Sequence, residues 1–268
     1  MAQALAKGLI SAGVTKGENL IASCAPEDYH CVAAFERLGA KITFDNPEVT
    51  KERDVIVVSI KPDIVPAVLQ ETKNTISDRN LLISLAMGVS INQLEQSLPK
   101  GTRVIRAMPN TPALTLSGAS VFVRGSAVTE EDVRLTQRLF ESVGSCEQVS
   151  ENLLDAVTGL SGAGPAYVYI FIEALADGAV RMGLPRDLAY RLAAQTVVGA
   201  GKMVLETKEH PGQLKDNVTS SGGTAAAGLY ALEKNGLRRA VIEAIEAATN
   251  KSREMLHCLS TVQDVLSS

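Results

Sequence analysis

The sequence predicts an α/β domain followed by an all-helical domain, on three observations. Up to Ser150, short apolar runs alternate with helical patterns, which is typical of a parallel sheet covered on both faces. After Ser150 the strand-like runs end and only helical patterns follow. The 268 residues, of which 46% are hydrophobic and 21% charged, suffice for two domains with buried cores. We therefore expect a first domain at 1–149 and a second at 150–268.

Strands and helices alternate in the first domain. The strongest strand signal is DVIVVSI, residues 54–60, which Lys61-Pro62 ends. Ser90 has the side chain of a helix cap. The expected strands are 19–24, 41–44, 54–60, 81–85, 103–107 and 119–123, and the expected helices are 1–12, 27–38, 48–53, 62–73, 90–98 and 130–143.

Small, polar or proline residues mark four of the strand ends, at 23–24, 59–62, 86–88 and 108–112. Strands in every fold end in turns, so each of these signals is weak when taken alone. Ligands of parallel sheets bind beyond the carboxyl ends of the strands. Several marked ends in one sheet therefore favour a nucleotide crevice at this edge.

The second domain is expected to contain helices at 151–160, 166–182, 185–207, 224–234 and 237–256. Residues 166–182 are apolar nearly all round, so we expect more than one side of this helix to be covered. An all-helical half with few polar faces favours close dimerisation. The apolar run 163–184 carries Glu173, Asp177 and Arg181, which favours a buried helix over a membrane span.

Charge and cysteine content argue against several classes of function. The net charge is −4 and no long basic block occurs, so nucleic acid is not an expected partner. The scattered cysteines and histidines indicate neither a disulfide framework nor a zinc site, and a reducing compartment such as the cytoplasm fits them. We expect His257 and Cys258 to be an incidental pair on a helix. The other cysteines are Cys24, Cys31 and Cys146.

The segment 210–228, HPGQLKDNVTSSGGTAAAG, is the most distinctive stretch of the chain. It opens with Pro211-Gly212, a turn signal, and leads through hydroxyl residues and two glycines into an alanine-rich helix. Unpaired backbone N–H groups at such a helix start suit a small anion, particularly a carboxylate. The alternative is an ordinary Ser/Gly loop that caps a helix.

The front of the chain departs from the usual pattern of a nucleotide-binding sheet. It starts on a helix whose pattern is amphipathic from the first residues, so we expect no signal peptide. No G-x-G-x-x-G follows a strand. Either the first unit is of another type, or an opening strand and its phosphate loop are missing.

Four segments resemble pyrroline-5-carboxylate reductases: VIRAMPNTP at 104–112, DAVTGLSGAGPAY at 155–167, ALADGAVRMGLPR at 174–186 and HPGQLKDNVTSSGGT at 210–224. The resemblance runs from Met1 to about Met255. It implies an N-terminal Rossmann-type parallel sheet, here without its first strand, and a C-terminal helical dimerisation domain. It also implies reduction of L-1-pyrroline-5-carboxylate to L-proline with NADPH or NADH, the last step of proline biosynthesis. Dimers of that family often assemble into a ring of five.

The resemblance also implies a cofactor site assembled from several segments. Cys24 and Pro26 would lie near the adenosine ribose, and Asn46 beside the adenine. Ala86 and Met87 would lie nearer the nicotinamide. The other implied cofactor contacts are Met1, Ser59, Ile60, Lys61, Pro62 and, from the helical domain, Asn217.

The choice between the two nicotinamide cofactors stays open. No acidic residue ends the strand at 23–24, although Glu27 is close, and an acidic residue there would repel a 2′-phosphate. No arginine occurs within 22–26 to bind that phosphate. The segment is therefore compatible with NADP but does not require it.

The implied substrate pocket lies at the segment 220–225 together with Glu151. Backbone N–H groups of Gly222 and Gly223 would hold the substrate carboxylate. Hydride would pass to the imine carbon while the nitrogen takes a proton, and Glu151 would favour the protonated iminium. The lining residues are Glu151, Ser220, Gly222, Gly223, Thr224 and Ala225, of which Glu151 and Thr224 are the catalytic candidates.

Three departures from the family pattern carry expectations. The opening strand lies before Met1, so we expect an alternative start or an incomplete gene model, and otherwise weak NAD(P)H binding and poor solubility. A targeting segment would lie there too, which leaves a mitochondrial location open. Ala225 stands where the family usually has threonine, so Thr224, Ser220 or a water would supply the proton. Ser221 replaces a usual proline, which should loosen the loop.

Two alternatives to an active reductase stay open at this point. One is a catalytically weak subunit that only forms oligomers through the helical half. The other is a different small-acid reductase with the same two-domain plan. Those enzymes usually place a catalytic lysine on the connecting helix, and 151–167 contains none.

Overall fold

The computed structural model describes residues 1–267, with side chains up to residue 255, and divides into two compact units. The first unit comprises 1–162 together with the chain from Ala247 onward, and the second comprises 163–246. The pair His257 and Cys258 lies outside the described side chains. The domain boundary between 149 and 150 stays a prediction.

The strands of the first unit form two separate sheets. In the smaller one, β1 (Ile21–Ser23) and β2 (Lys41–Thr43) pair in parallel. Between residues 1 and 267, no ladder joins these strands to the larger sheet. The larger sheet has the order β3 (Val55–Val58), β4 (Leu81–Ser84), β5 (Arg103–Met108), β6 (Gly118–Arg124) and β7 (Gly144–Gln148).

Parallel pairing of β3 with β4 and of β4 with β5 confirms the predicted α/β class, and β6 is an exception within the mainly parallel sheet. This strand runs antiparallel to β5. The connection between them is a 3-10 turn at Thr111–Thr115, which is too short for the crossover that parallel strands need. β7 was not expected, because GSCEQ has no β-branched residue, and it pairs in parallel with β6.

Helices pack on both faces of the larger sheet. Alternate residues of β4 enter different clusters, with Leu82 in one and Leu81 and Ile83 in the other. Ser90 caps α5 as predicted, because its hydroxyl accepts from the N–H of Gln93, whose side chain accepts from the N–H of Ser90. The helices of this part are α1 (Ala2–Ser11), α2 (Tyr29–Arg37), α3 (Asn46–Glu52), α4 (Val65–Thr72), α5 (Ile91–Ser97) and α6 (Glu130–Glu141).

The segment after β7 differs from the single helix expected at 151–160. It contains a 3-10 turn at Glu151–Leu153, the short helix α7 (Leu154–Val157) and a π-helix at Thr158–Gly162. The buried side chain of Asn110 holds the π-helix in place, since its Nδ2 donates to the carbonyl of Ser161 over 3.0 Å. Wide helical turns of this kind often occur at functional sites.

The second unit is helical, as expected. α8 and α9 pack through small side chains, with Ala176, Ala189 and Ala193 at the centre of the contact. Pro211-Gly212 was expected to form a turn, but it begins a short helix, because proline suits the first helical position. The helices are α8 (Gly164–Arg181), α9 (Arg186–Thr207), α10 (Pro211–Asn217), α11 (Thr224–Lys234) and α12 (Leu237–Ser267).

Large apolar side chains stay exposed on these helices in the single chain. Ile170 is 68% exposed on α8, and Leu205 is 77% exposed on α9. The chain's own residues therefore do not cover the apolar sides of the helix at 166–182, which were expected to be covered. Among the described residues, no helix combines the length and the apolar character that crossing a bilayer requires.

Candidate active site

A cleft lies at the carboxyl ends of β4 and β5, where the sequence predicted a nucleotide crevice. It is narrow: its cavity volume is about 10 Å³, which is room for about one water molecule. Ala86 and Met87, both predicted cofactor contacts, line it directly after β4. The tight turn that follows them requires glycine, since Gly88 has a φ of 81°. The other lining residues are Leu85, Arg106, Ala107, Met108, Leu154 and Thr158.

Glu151, the predicted acidic group of the substrate pocket, is held by Arg106. The Nη1 of Arg106 donates to Oε1 of Glu151 over 2.8 Å. The same oxygen accepts the backbone N–H of Ile91 at 2.8 Å. Glu151 thus joins the start of α5, strand β5 and the segment after β7. Its charge is compensated by a buried guanidinium that also lines the cleft.

Asn46, the predicted adenine neighbour, is fixed at the end of the smaller sheet. The hydroxyl of Ser23 donates to its Oδ1 over 2.8 Å, and its Nδ2 donates to a carboxylate oxygen of Glu71 over 2.7 Å. Cys24 is buried directly after β1, and its N–H donates to the carbonyl of Thr43 over 3.2 Å. These contacts place polar groups at the carboxyl ends of β1 and β2.

The predicted cofactor residues after β3 form a turn that leads into α4. Ser59 and Ile60 are half-buried, whereas Lys61 is exposed. The carbonyl of Lys61 accepts the N–H of Ile64 over 3.1 Å. Elsewhere, Pro26 lies exposed in a turn, and Met1 precedes α1 with 42% of its surface exposed.

In the second unit, the hydroxyl-rich segment forms the predicted start of a helix. Gly222 has a φ of 66°, and the N–H of Gly223 donates to the carbonyl of Ser220 over 3.1 Å. Gly223 caps α11 without a side-chain hydrogen bond to the helix start. Thr224 and Ala225 therefore occupy its first two positions, where backbone N–H groups have no intrahelical partner. Asn217 ends α10 and accepts a hydrogen bond from Gln213 at 2.8 Å.

The structure thus brings Ala86 and Met87 into one cleft with Arg106, the partner of Glu151. Arg106 was missed as a site residue, although a cation inside the apolar strand pattern VIRAM requires a buried partner. Ser23 was noticed only as a strand end. The roles of Asn217 and of residues 220–225 stay predictions. Up to residue 255, no cluster of three His, Cys, Asp or Glu side chains could hold a metal ion.

Comparisons with known proteins match both halves of the chain. Residues 151–255 match the family described as pyrroline-5-carboxylate reductase dimerisation, and 1–88 match the family described as NADP oxidoreductase, coenzyme F420-dependent. The chain is 44% identical to bovine pyrroline-5-carboxylate reductase 2, over 95% of this chain and 81% of that protein. It is 44% identical to the Arabidopsis thaliana pyrroline-5-carboxylate reductase, over 95% and 92% respectively.

Solved structures agree with these relatives. The Plasmodium falciparum pyrroline carboxylate reductase with NADP bound superposes with a TM-score of 0.84 at 36% identity, over 94% of this chain and 93% of that one. A Coxiella burnetii pyrroline-5-carboxylate reductase also gives 0.84, at 34% identity and over 95% and 94%. The similarity covers both compact units.

Proposed function

Because the chain belongs to the pyrroline-5-carboxylate reductase family, we propose that it reduces L-1-pyrroline-5-carboxylate to L-proline with NAD(P)H. It is an oxidoreductase, and the reaction is the last step of proline biosynthesis. The observation that carries the proposal in the structure is the cleft at the carboxyl ends of β4 and β5. There, two predicted cofactor contacts adjoin the buried Arg106 and its partner Glu151.

The residues of the first unit fit a nicotinamide cofactor. Ala86, Met87 and Leu154 give the cleft apolar walls, and we propose that a nicotinamide ring contacts them at the mouth of the cleft, which is too small to enclose the ring. The fixed amide of Asn46 suits an adenine, and the exposed Lys61 suits a phosphate. When bound, the cofactor supplies the hydride that reduces the imine carbon. We propose the remaining contacts from Met1, Cys24, Pro26, Ser59, Ile60, Pro62 and Asn217.

The start of α11 is our proposed substrate site. A carboxylate there accepts hydrogen bonds from backbone N–H groups and lies at the positive end of the helix dipole. The positive φ of Gly222 turns the chain into the start of α11, where the N–H groups of 224 and 225 have no intrahelical partner. The N–H of Gly223, expected to hold the carboxylate, is instead bonded to the carbonyl of Ser220. The hydroxyls of Ser220 and Thr224 adjoin this site in the sequence and can donate to the ring nitrogen or to the carboxylate.

Proton supply is proposed to come from Thr224, directly or through a water. Ala225, which has no hydroxyl, stands at the next position. Glu151 would act mainly through charge, because a carboxylate near the substrate favours the protonated iminium over the neutral imine. The ion pair with Arg106 partly neutralises the charge of Glu151. The same pair holds Arg106 at the cleft wall.

Assembly and location are proposed from the same family membership. The exposed apolar faces of α8 and α9 support a homodimer, in which a second copy covers them. A pentamer of dimers is the further assembly we propose. The reducing compartment suggested by the free Cys24, Cys31 and Cys146 supports the cytoplasm.

The function is tested by mixing the purified full chain with L-1-pyrroline-5-carboxylate and NADPH or NADH. We expect loss of absorbance from the reduced cofactor and equimolar formation of L-proline, identified by chiral chromatography. Cofactor oxidation without proline points to another imine or keto acid. No turnover with either cofactor, by a protein that is folded and oligomeric, contradicts the proposal and favours a purely oligomer-forming subunit.

A further inference from the structure

Two thiols lie against each other at the end of β1. The Sγ of Cys24 donates a hydrogen bond to the Sγ of Cys31 over 2.9 Å. The sulfur atoms of a disulfide are about 2.05 Å apart, so this pair is within about 1 Å of bonding distance. Both cysteines are free thiols in the structure, and the chemistry proposed above does not oxidise them.

The backbone on each side holds this pair in place. The N–H of Cys24 extends the ladder of the smaller sheet by donating to Thr43. At the other end, Asp28 caps α2 by accepting the N–H of Cys31 over 3.0 Å. The thiols are therefore brought together by a strand end and a capped helix start, which do not depend on a flexible loop.

The two thiols differ in their chemistry. Burial, followed by the hydrogen bond to Cys31, raises the pKa of Cys24 to about 12. Cys24 therefore keeps its proton at neutral pH while it is hydrogen-bonded to Cys31. Cys31 accepts the hydrogen bond and is half-buried, whereas Cys24 is buried, so Cys31 is the sulfur that a dissolved oxidant meets first.

We propose that Cys24 and Cys31 form a redox site that closes to a disulfide when a low-molecular-weight disulfide such as oxidised glutathione is in excess. The sulfur of Cys31 loses its proton and attacks one sulfur of the oxidant, and the other half leaves and takes up a proton. The sulfur of Cys24 then loses its proton and attacks the Cys31 sulfur of the mixed disulfide, which releases the second thiol. Two protein thiols are oxidised, and one oxidant is reduced to two thiols.

The consequence for the enzyme rests on the proposed function, in which Cys24 lies near the adenosine ribose. Closing the disulfide removes the Cys24 thiol proton and draws this position towards α2. We therefore expect the oxidised form to bind NADPH more weakly. Because cofactor binding and disulfide formation are thermodynamically linked, bound cofactor then favours the reduced dithiol over the disulfide by the same factor. In a reducing compartment the disulfide would form transiently.

Disulfide formation is tested directly by peptide mass. The full chain carrying Cys258→Ser is equilibrated over a range of glutathione ratios, alkylated under denaturing conditions and digested with trypsin. Both thiols fall in one tryptic peptide, residues 17–37, which loses the mass of two hydrogen atoms when the bond forms. We expect this loss in the parent and in Cys146→Ser, and no loss in Cys31→Ser. A doubly alkylated peptide at every glutathione ratio overturns the proposal.

The effect on the cofactor is tested in the same series. Oxidation should raise the KM for NADPH about fivefold in the parent and leave Cys31→Ser unchanged. In the presence of saturating NADP⁺, a more oxidising glutathione ratio should be needed to oxidise half of the Cys24–Cys31 pairs. A disulfide that leaves both quantities unchanged contradicts the coupling. If no variant turns over substrate, the proposed function fails, while the peptide mass still decides whether the redox site exists.

Discussion

Arg106 and Glu151 form a charged pair between the larger sheet and the segment that follows it. Their hydrogen bond is 2.8 Å long, and the side chains are 7% and 36% exposed respectively. The arginine therefore depends on the glutamate, since a buried cation without its partner is costly. The glutamate remains partly hydrated and also accepts the N–H of Ile91.

Replacing Arg106 by methionine should lower the free energy of unfolding by about 2–3 kcal/mol, less than the loss of a fully buried pair, because Glu151 keeps some water. Urea denaturation measures this loss. The matched control is Arg124→Met, whose partner Glu130 is 70% exposed, and there we expect less than about 1 kcal/mol. If the two variants lose the same free energy of unfolding, burial of Arg106 does not set the cost of removing it. In a double-mutant cycle, R106M with Glu151→Gln should cost less than the sum of the single changes.

Replacing Gly223 by alanine should weaken substrate binding. A Cβ there would lie 2.4 Å from the hydroxyl oxygen of Ser220 and 3.2 Å from its carbonyl oxygen. The hydroxyl must rotate and the loop must shift, so a predicted substrate contact is lost. We expect the KM for pyrroline-5-carboxylate to rise about tenfold, which corresponds to one hydrogen bond, with the KM for NADPH unchanged.

The matched control for this loop is Gly228→Ala, five residues further along within α11, where no atom lies within 4 Å of the added Cβ. This change should raise the free energy of unfolding by about 1 kcal/mol through helix propensity and leave both KM values unchanged. If G223A keeps the parental KM for pyrroline-5-carboxylate, the loop is not part of the substrate site.

Moving one hydroxyl tests the proton donor. Thr224→Ala should lower kcat about tenfold or more if this hydroxyl relays the proton. Adding Ala225→Thr should restore kcat, because the hydroxyl then stands at the position that the family usually uses. Ala227→Thr, an exposed position of the same helix, should leave kcat unchanged. Full activity of T224A alone would assign the proton to Ser220 or to water.

A charge on the apolar face of α8 tests the dimer. Ile170 is 68% exposed in the single chain, so glutamate at this position is compatible with the folded protomer. In a dimer that covers this face, the same charge loses its water without a partner. We expect Ile170→Glu to behave as a folded monomer in light scattering coupled to gel filtration. Val14→Glu, at a 46% exposed position of the first unit, should keep the parental mass. An unchanged mass for I170E places the interface elsewhere.

Patterns that depend on near neighbours could be predicted from the sequence. The run DVIVVSI contains β3, and Ser90 caps α5, because local apolar runs and hydroxyl caps act over a few residues. The helix at 224–234 was also predicted with its bounds, since Gly223 and Asn235-Gly236 mark its two ends.

Features set by distant partners could not be predicted in this way. β7 forms from GSCEQ because the edge of β6 is available to it, and no local preference indicates a strand there. The antiparallel direction of β6 follows from the short connection after β5, and the apolar pattern predicts the two strands but not their relative direction. Arg106 is held at the cleft by Glu151, which lies 45 positions further along the chain, so no local pattern shows this pair.

The division of the strands into two sheets affects how the cofactor crevice opens. β1 and β2 share a ladder of only three residue pairs, and so small a sheet is marginal without the helix packed on it. Local opening should therefore affect the proposed adenine site while the proposed nicotinamide site keeps its fold, and amide exchange should be faster at Ala22 than at Leu82. Departure of the spent dinucleotide would then begin at its adenosine end.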